Sequence, residues 1–462
     1  MISNQLAKEV LNIALSTGAD FAEIFYEEKQ TESLSLDNGV VDTISSDFLC
    51  GVGIRILLGL QSVYGYTNDL SKDGLRELAT SLSRSFDGKQ MVFVTKIAEK
   101  KVKNHHPVLR PADAMPKELK IQFLEELHQL MTEDKRIVRT ILNLRDSKQH
   151  VVIYNSQGEK KKDTRYRTRA YLQAIASENG KIETFGFGPG ASQGFEFYST
   201  FDLKEKAKEC AKIAVNKLYA QDCPSGPMPV ILGNGFGGVI FHEACGHALE
   251  ASAVSKGLSV FSGKIGKQIA SKVVTAIDDG TIVNGWGSGN IDDAGHKTEK
   301  TILIKNGILQ NYLVDDFHGR RMNTAPNGAT RRESYRFEPT SRMSNTYIAA
   351  GKSTLEDMLK ETSYGLYAKS LGGGSVNPAT GDFNFGVEEA YLIENGKIGP
   401  MVKGAVLIGN GADVLMRIDM VGNDVKRAQG MCGAASGSIP VDVGQPTIRV
   451  ERITVGGQGG KK

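Results

Sequence analysis

Apolar and polar positions alternate along the first half of the chain in two rhythms. Residues 4–17 place Lys8 and Glu9 among apolar neighbours, the mark of an amphipathic helix capped near Asn4 and stopped at Gly18. Period-two segments at 22–27, 33–36, 52–57 and 62–67, bounded by Gly, Asn or Asp, read as short strands. A helix is predicted over 75–82. Another opens at Pro116, where KELKIQFLEELHQLM sets Leu119, Phe123, Leu127 and Leu130 on one stripe. Strand-like runs return at 137–144, 151–155, 165–175 and 182–187, and a helix at 203–219 closes the region. Helices and strands in that order predict an α+β fold. The polar, basic stretch 96–106 and the three prolines after it place a sub-boundary within 104–116.

The pattern changes after the Pro- and Gly-containing stretch 223–229, which reads as a linker. Beyond it, short β-like pieces are separated by Gly-rich turns, with Asn306-Gly307 and Asn395-Gly396 as hairpin signals. Clear helical patterns remain only near 239–251 and 354–361. The expected division is an N-terminal α+β domain over 1–222 and a Gly-rich, mainly β domain over 223–462 that carries a metal-binding helix. No internal repeat is found, and the only low-complexity tail is the terminal GGQGGKK.

Composition sharpens this division. Of 52 glycines, 14 fall in residues 1–220 and 38 in residues 221–462. The 462 residues are 40% hydrophobic and 24% charged, as in an ordinary globular protein. A net charge of +3 argues against a nucleic-acid or membrane-surface binder. No apolar run approaches the ~18 residues of a membrane span, and the N-terminal helix is not a signal peptide. Five widely spaced cysteines fit a reducing compartment, so a cytoplasmic location is expected. The basic stretch EKKKDTRYRTR alternates Arg165, Arg167 and Arg169 on one strand face, which reads as a solvated strand rather than a phosphate site.

Two chemical readings compete for PVILGNGFGGVIFHEACGHALEAS, from Pro229. Gly233, Gly235 and Gly238 match the dinucleotide fingerprint G-x-G-x-x-G between strand and helix. The acid expected about twenty residues on, to hold a ribose, is missing. His242-Glu243 and His247 instead offer two imidazoles and a carboxylate to a metal. Their i, i+5 spacing would splay the rings by about 140° on a regular helix. A single π-bulge restores a common face, and Gly246 makes such a distortion easy. Two core histidines beside a helix carboxylate is the competing reading. A third ligand would come from elsewhere: Cys245, Cys432, His296, His318 and several acids are available. Cys432 lies in Gly430-Met-Cys-Gly433, read as a glycine-flanked turn, although a lone cysteine is more often a small buried hydrophobe.

The HEACGHALE segment after a Gly-rich turn resembles the HExxxH motif of the TldD/PmbA family of metallopeptidases. The likeness runs on through GSGNIDD from Gly287, RRESY from Arg331, RMSNT from Arg342, residues 381–386, EAYLIENGK from Glu389 and VKGA from Val402. It ends with MVGND from Met420, GMCG from Gly430, GQP from Gly444 and TVGG from Thr454. The resemblance is to the TldD branch, which keeps the metal motif that the TldE (PmbA) branch lacks. It implies that His242, His247 and Cys432 hold one Zn2+ per chain, with Glu243 as general base. It further implies hydrolysis of unstructured, leader or antitoxin-type peptides by a homodimer or a heterodimer with a TldE/PmbA-type subunit. A thiolate ligand would make the zinc a weaker Lewis acid. An older family label supplies the alternative of a non-catalytic modulator of DNA gyrase. Glu250 is a candidate partner for a ring N–H. Arg331, Arg332 and Arg342 could hold substrate or structural ion pairs.

Overall fold

The computed structural model describes residues 2–377 and 380–459, so the last three residues of the GGQGGKK tail lie outside it. The first half is built on a long antiparallel sheet. Its strands run in the spatial order Gln61–Thr67, Val40–Leu58, Phe21–Asp37, Ile137–Asn155 and Glu159–Glu178, with Lys181–Phe187 paired to the last of these. The short strands expected at 22–27 and 33–36 are one seventeen-residue strand, and those at 137–144 and 151–155 are one nineteen-residue strand. Sequence reading broke them where polar residues accumulate.

Those polar residues have a partner surface. Even-numbered positions of the sheet, such as Ile24, Tyr26, Val152 and Tyr154, pack under helices Asn4–Leu15 and Lys72–Ser83. Leu34, Leu142, Leu144 and Leu172 pack likewise under Lys117–Met131 and Leu203–Lys217. Odd-numbered positions face the second half of the chain. There Phe25, Val151 and Ile153 meet Ile291 and Tyr335 in a small apolar cluster. Around it lie buried ion pairs: Arg55 with Glu23 at 2.9 Å, Arg332 with Glu23 at 2.6 Å, and Arg165 with Asp293 at 2.6 Å. A charge buried without a partner is strongly unfavourable, and these pairings fix the two halves in one register. The alternation of Arg165, Arg167 and Arg169 therefore marks a covered face, not the solvated strand expected. Arg167 donates to the Trp286 carbonyl and Arg169 to the Gln429 carbonyl.

The first helix is capped one residue earlier than expected, by Ser3, whose hydroxyl accepts from the Leu6 N–H. The stretch 223–229, expected as a linker, is drawn into sheet: Gly226–Leu232 is a strand and Cys223 is fully buried. That strand, Ile448–Gly456, Val406–Asn410, Asp382–Glu394 and Tyr364–Val376 pair in sequence, and the last pairs back to the first, closing a five-stranded barrel. Beside it lies a six-stranded sheet in the order Ile308–Leu309, Lys300–Lys305, Ala276–Asp279, Asn345–Ile348, Gly437–Gln445 and Lys426–Ala434. The last of these is an edge strand. Both Asn-Gly turns form as read, with positive φ at Asn306, Gly307, Asn395 and Gly396 as a type I′ hairpin requires. Among the described residues, the helices Asp316–Met322 and Gly411–Arg417, each seven residues long, and the single turn Phe197–Thr200 escaped the sequence reading.

Candidate metal centre

The barrel strand Gly226–Leu232 delivers the chain into four short helical turns of changing pitch. Gly235–Gly238 is 3-10, Val239–Phe241 α, His242–Gly246 π and His247–Leu249 3-10. The glycine loop is spent on internal packing. A Cβ on Gly237 would meet Gln445 Nε2 at 2.5 Å, and one on Gly238 would meet the Gly444 backbone at 2.5 Å. Gly235, the fingerprint position that a pyrophosphate would approach, stays open, but the regular helix whose N-terminus would hold that group is replaced by these four short turns, which weighs against the nicotinamide reading.

The π turn is the distortion that the i, i+5 spacing calls for. The His247 N–H donates to the His242 carbonyl, and the two rings stand 5.2 Å apart between centroids. The part played by Gly246 differs from expectation. Its φ of −57° and ψ of −49° are ordinary helical values. Its missing side chain instead makes room for Met343: an added Cβ would fall inside the envelope of Met343 Sδ and 3.0 Å from its Cε.

Cys432 comes to this turn from the edge strand Lys426–Ala434, where it pairs with Ile439. The glycine-flanked turn expected around it is therefore the middle of a strand. Its Sγ lies 3.2 Å from His242 Nε2 and 3.2 Å from His247 Nε2. The three donor atoms lie within 4.8 Å of one another, close enough for one ion with bonds of about 2.0–2.3 Å to reach all of them. His242 and Cys432 are buried. The Glu243 carboxylate is 30% exposed and 3.6 Å from His247 Nε2, so it is the acidic group that faces outward beside the donors.

The surroundings hold this arrangement. His247 Nδ1 meets Glu250 Oε1 at 3.1 Å, which leaves Nε2 for the cluster. Arg342, fully buried, donates to the Cys432 carbonyl at 2.6 Å and to Ser436 Oγ at 2.9 Å, with Nε 3.9 Å from Glu250. One guanidinium thus ties the cysteine strand to the carboxylate that orients His247, so the structural alternative holds for Arg342. Arg332 is likewise structural. Arg331 donates to the Met343 carbonyl at 2.8 Å and lines a small cavity of about 20 Å³ with Arg165 and Arg167. No signal in the sequence pointed to Met343 or Ser436. His242 Nδ1 is buried without a partner among the described residues.

The electrostatics suit a cation. Burial holds His242 well below the ordinary imidazole value, reinforced by the positive charges of His247, Arg342 and Arg331. Burial also works against a charge on His247, but Glu250 and Cys432 outweigh it and hold that ring well above the ordinary value. The cluster therefore gathers positive charge between two nitrogens and a sulfur, where a divalent ion would replace the proton. The other candidate ligands lie elsewhere. His296 pairs with Asp316 at 2.8 Å and His318 with Asp315 at 2.7 Å. Cys245 is buried in the apolar core of the second half, and burial pushes its thiol up.

Three profiles, described as PmbA/TldA metallopeptidase domain 1, central domain and C-terminal domain, match residues 22–85, 110–218 and 225–457. This chain belongs to the PmbA/TldA metallopeptidase family. Among its relatives, a metalloprotease TldD homolog of Haemophilus influenzae is 36% identical over 466 residues, covering 99% of this chain and 97% of its own. A zinc metalloprotease TldD homolog of Saccharolobus solfataricus is 29% identical over 261 residues, covering 56% of this chain and 58% of its own. The fold is shared with a putative modulator of DNA gyrase from Thermotoga maritima, at a TM-score of 0.81 and 21% identity, covering 98% of this chain and 99% of that one. It is shared also with TldE from Thermococcus kodakarensis, at 0.76 and 18%, covering 97% and 99%. Among the described residues, no helix is long and apolar enough to cross a membrane.

Proposed function

We propose that this PmbA/TldA chain is a zinc-dependent peptidase that hydrolyses unstructured peptides. The observation that carries the reading is the meeting of His242 Nε2, His247 Nε2 and Cys432 Sγ within 4.8 Å, with the Glu243 carboxylate at their exposed side. The donor set, two imidazoles and a thiol with the His247 ring held by Glu250, fits zinc. A zinc ion there supplies Lewis acidity at the scissile carbonyl and activates water. Glu243 takes the proton of the attacking water on its carboxylate and passes it to the departing amine nitrogen. Glu250 keeps the His247 ring in the orientation that leaves Nε2 inward, and Arg342 keeps the Cys432 strand against it.

An extended substrate has a place to lie. Lys426–Ala434 is an edge strand, and Met431, beside Cys432, faces Pro440 across the ladder. Proline has no N–H, so that pair is of the non-hydrogen-bonded kind, and the Met431 N–H and C=O point to the free edge. A peptide adding there as a further strand would be held by backbone groups, which tolerates many sequences. In this reading the domain over 223–462 carries the chemistry and that over 1–222 walls the cleft. A second subunit, a copy of this chain or a TldE-type chain, completes the assembly. Five unpaired cysteines support a reducing, cytoplasmic setting.

The test is metal analysis beside peptide cleavage. About one zinc per chain is expected, lost in Cys432→Ser and kept in Glu243→Gln. Glu243→Gln is expected to bind an unstructured peptide without cutting it. Full cleavage by that variant would sink the assigned base, and a Cys432→Ser protein with stoichiometric zinc would remove that ligand. A gyrase-directed binding role has only the names of structural neighbours such as the Thermotoga protein behind it, and likeness at 21% identity or below carries only the fold.

A further inference from the structure

Beyond the ion pairs that join the two halves, the covered face of the N-terminal sheet carries cations that no carboxylate contacts among the described residues. Lys29, Arg145, Arg167 and Arg169 all occupy odd positions, on the face turned toward the second half. Arg145 stands directly opposite Arg169 on the neighbouring strand, an arrangement of like charges that is unfavourable by itself. Arg167 lies one row along, opposite Ser147 and, on the next strand, Thr31. Thr31 and Ser147 thus put short side chains in the row between those of Lys29 and Arg145.

Among the described residues, none of the four comes within 4.0 Å of a carboxylate. The acids nearby are already engaged. Asp163 and Asp293 are taken by Arg165, Glu27 accepts from Gln149 and the Tyr335 N–H, and Glu333 accepts from the Ser438 N–H. Asp442, the acid nearest in effect to Arg169, accepts from Gln429 and the Trp286 N–H, with Arg427 at 3.6 Å. Burial lowers Lys29, Arg167 and Arg169 from their ordinary values, Arg167 down to about 9. Repulsion adds to it from Arg167 and Arg145 at Lys29, against the pull of Glu27, from Arg165 and Arg331 at Arg167, and from Arg145 at Arg169. A fold that needed only a filled interface would place neutral or paired side chains here. Like charges held close together without a contacting carboxylate are the arrangement that an anion relieves.

Arg169 also fixes where this patch lies relative to the metal centre. It donates to the carbonyl of Gln429, three residues before Cys432 on the same edge strand. At about 3.3 Å per strand residue, that is roughly 10 Å from the cysteine. We infer that Lys29, Arg145, Arg167 and Arg169 form a subsite for acidic side chains of an extended peptide, about three residues from the bond to be cut. The position along the substrate rests on the peptidase reading above; the preference for an acidic peptide does not.

The test separates binding from cleavage. Fluorescence anisotropy at low salt on the full-length Glu243→Gln protein would compare a labelled, unstructured Gly/Ser peptide bearing several glutamates with its glutamine counterpart. The acidic peptide is expected to bind about tenfold more tightly, as charge-assisted contacts of ordinary strength give. That ratio is expected to fall to within about twofold in Lys29→Gln/Arg145→Gln and to fade with salt. Thermal unfolding of the double variant, and of Lys29→Gln alone, guards against misfolding; removing repelling charges is expected to leave the melting temperature equal or higher. Equal binding of the two peptides, or a ratio unmoved by the substitutions, would overturn the subsite. So would tighter binding of a labelled oligothymidylate than of the acidic peptide. If the acidic preference holds but protein with Glu243 intact cuts neither peptide, the peptidase reading fails and the subsite stands; cleavage of both with equal binding has the opposite meaning.

Discussion

Gly246→Ala tests how the π turn is built, because two accounts of that glycine predict opposite signs. At φ −57° and ψ −49° an alanine fits the backbone, and for such a site the substitution alone stabilises by about 0.4–1 kcal/mol through the unfolded chain. The added Cβ, however, enters the envelope of Met343 Sδ, and Met343 is 1% exposed. Overpacking of that kind costs about 1–3 kcal/mol, so the net effect expected is destabilisation by roughly 0–2.5 kcal/mol. His247 follows directly, so zinc affinity should fall with it, by about the 10–100-fold seen when a ligand's support is disturbed. Met343→Ala removes the opposing sulfur and methyl. In that background Gly246→Ala should become neutral or stabilising, a coupling of about 1–3 kcal/mol between the two positions. Denaturant unfolding and chelator competition on the four proteins of the cycle measure both quantities. Identical effects of Gly246→Ala with and without Met343 would refute the steric account and return the glycine to a role in backbone freedom.

Further expectations concern the supports of the site and the joint between the halves. Glu250→Gln should weaken zinc about 10–100-fold while leaving the fold intact, read by chelator competition. Removing one side of the buried Arg165–Asp293 pair, as in Asp293→Asn, should cost about 3–5 kcal/mol, read by denaturant unfolding. His296 titrates near 9: burial would lower it, but the Asp316 hydrogen bond and the Asp292 and Asp316 charges raise it above the ordinary 6.5. A raised imidazole stabilises the fold fully below pH 6.5 and loses that contribution as pH rises through about 9. Asp316→Asn should bring the His296 titration, followed by NMR, back toward 6.5 and flatten stability across that window.

The chemistry-bearing turn was legible because spacing is geometric: two imidazoles at i, i+5 share a face only if the helix widens, and it does. Cys432 could be reached only through resemblance, since nothing local in GMCG says that an edge strand will carry it 190 positions back to His242. The N-terminal sheet was legible in kind but not in length. Period-two patterning finds strands whose other face is wet, whereas positions such as Glu23, Arg55 and Arg165 are polar and yet buried against partners far along the chain. The same cause made Arg165, Arg167 and Arg169 look solvated. The helix Asp316–Met322 was missed because seven residues give too few turns for periodicity, although the Asp315 side chain caps it by accepting from the Phe317 and His318 N–H groups.

The separation of His242 from Cys432 also bears on how the protein matures. During synthesis at about 5–20 residues per second, roughly 10–40 s pass between the emergence of the histidine and that of the cysteine. Through that interval the nascent chain presents the two imidazoles without the Cys432 thiol, and Gly437–Gln445 must still emerge to pair with the cysteine strand. Zinc delivered early would find an incomplete donor set. On the zinc reading, loading is expected to wait until the cysteine strand has emerged, and a truncation before residue 426 is expected to keep the HEACGH segment yet hold metal weakly.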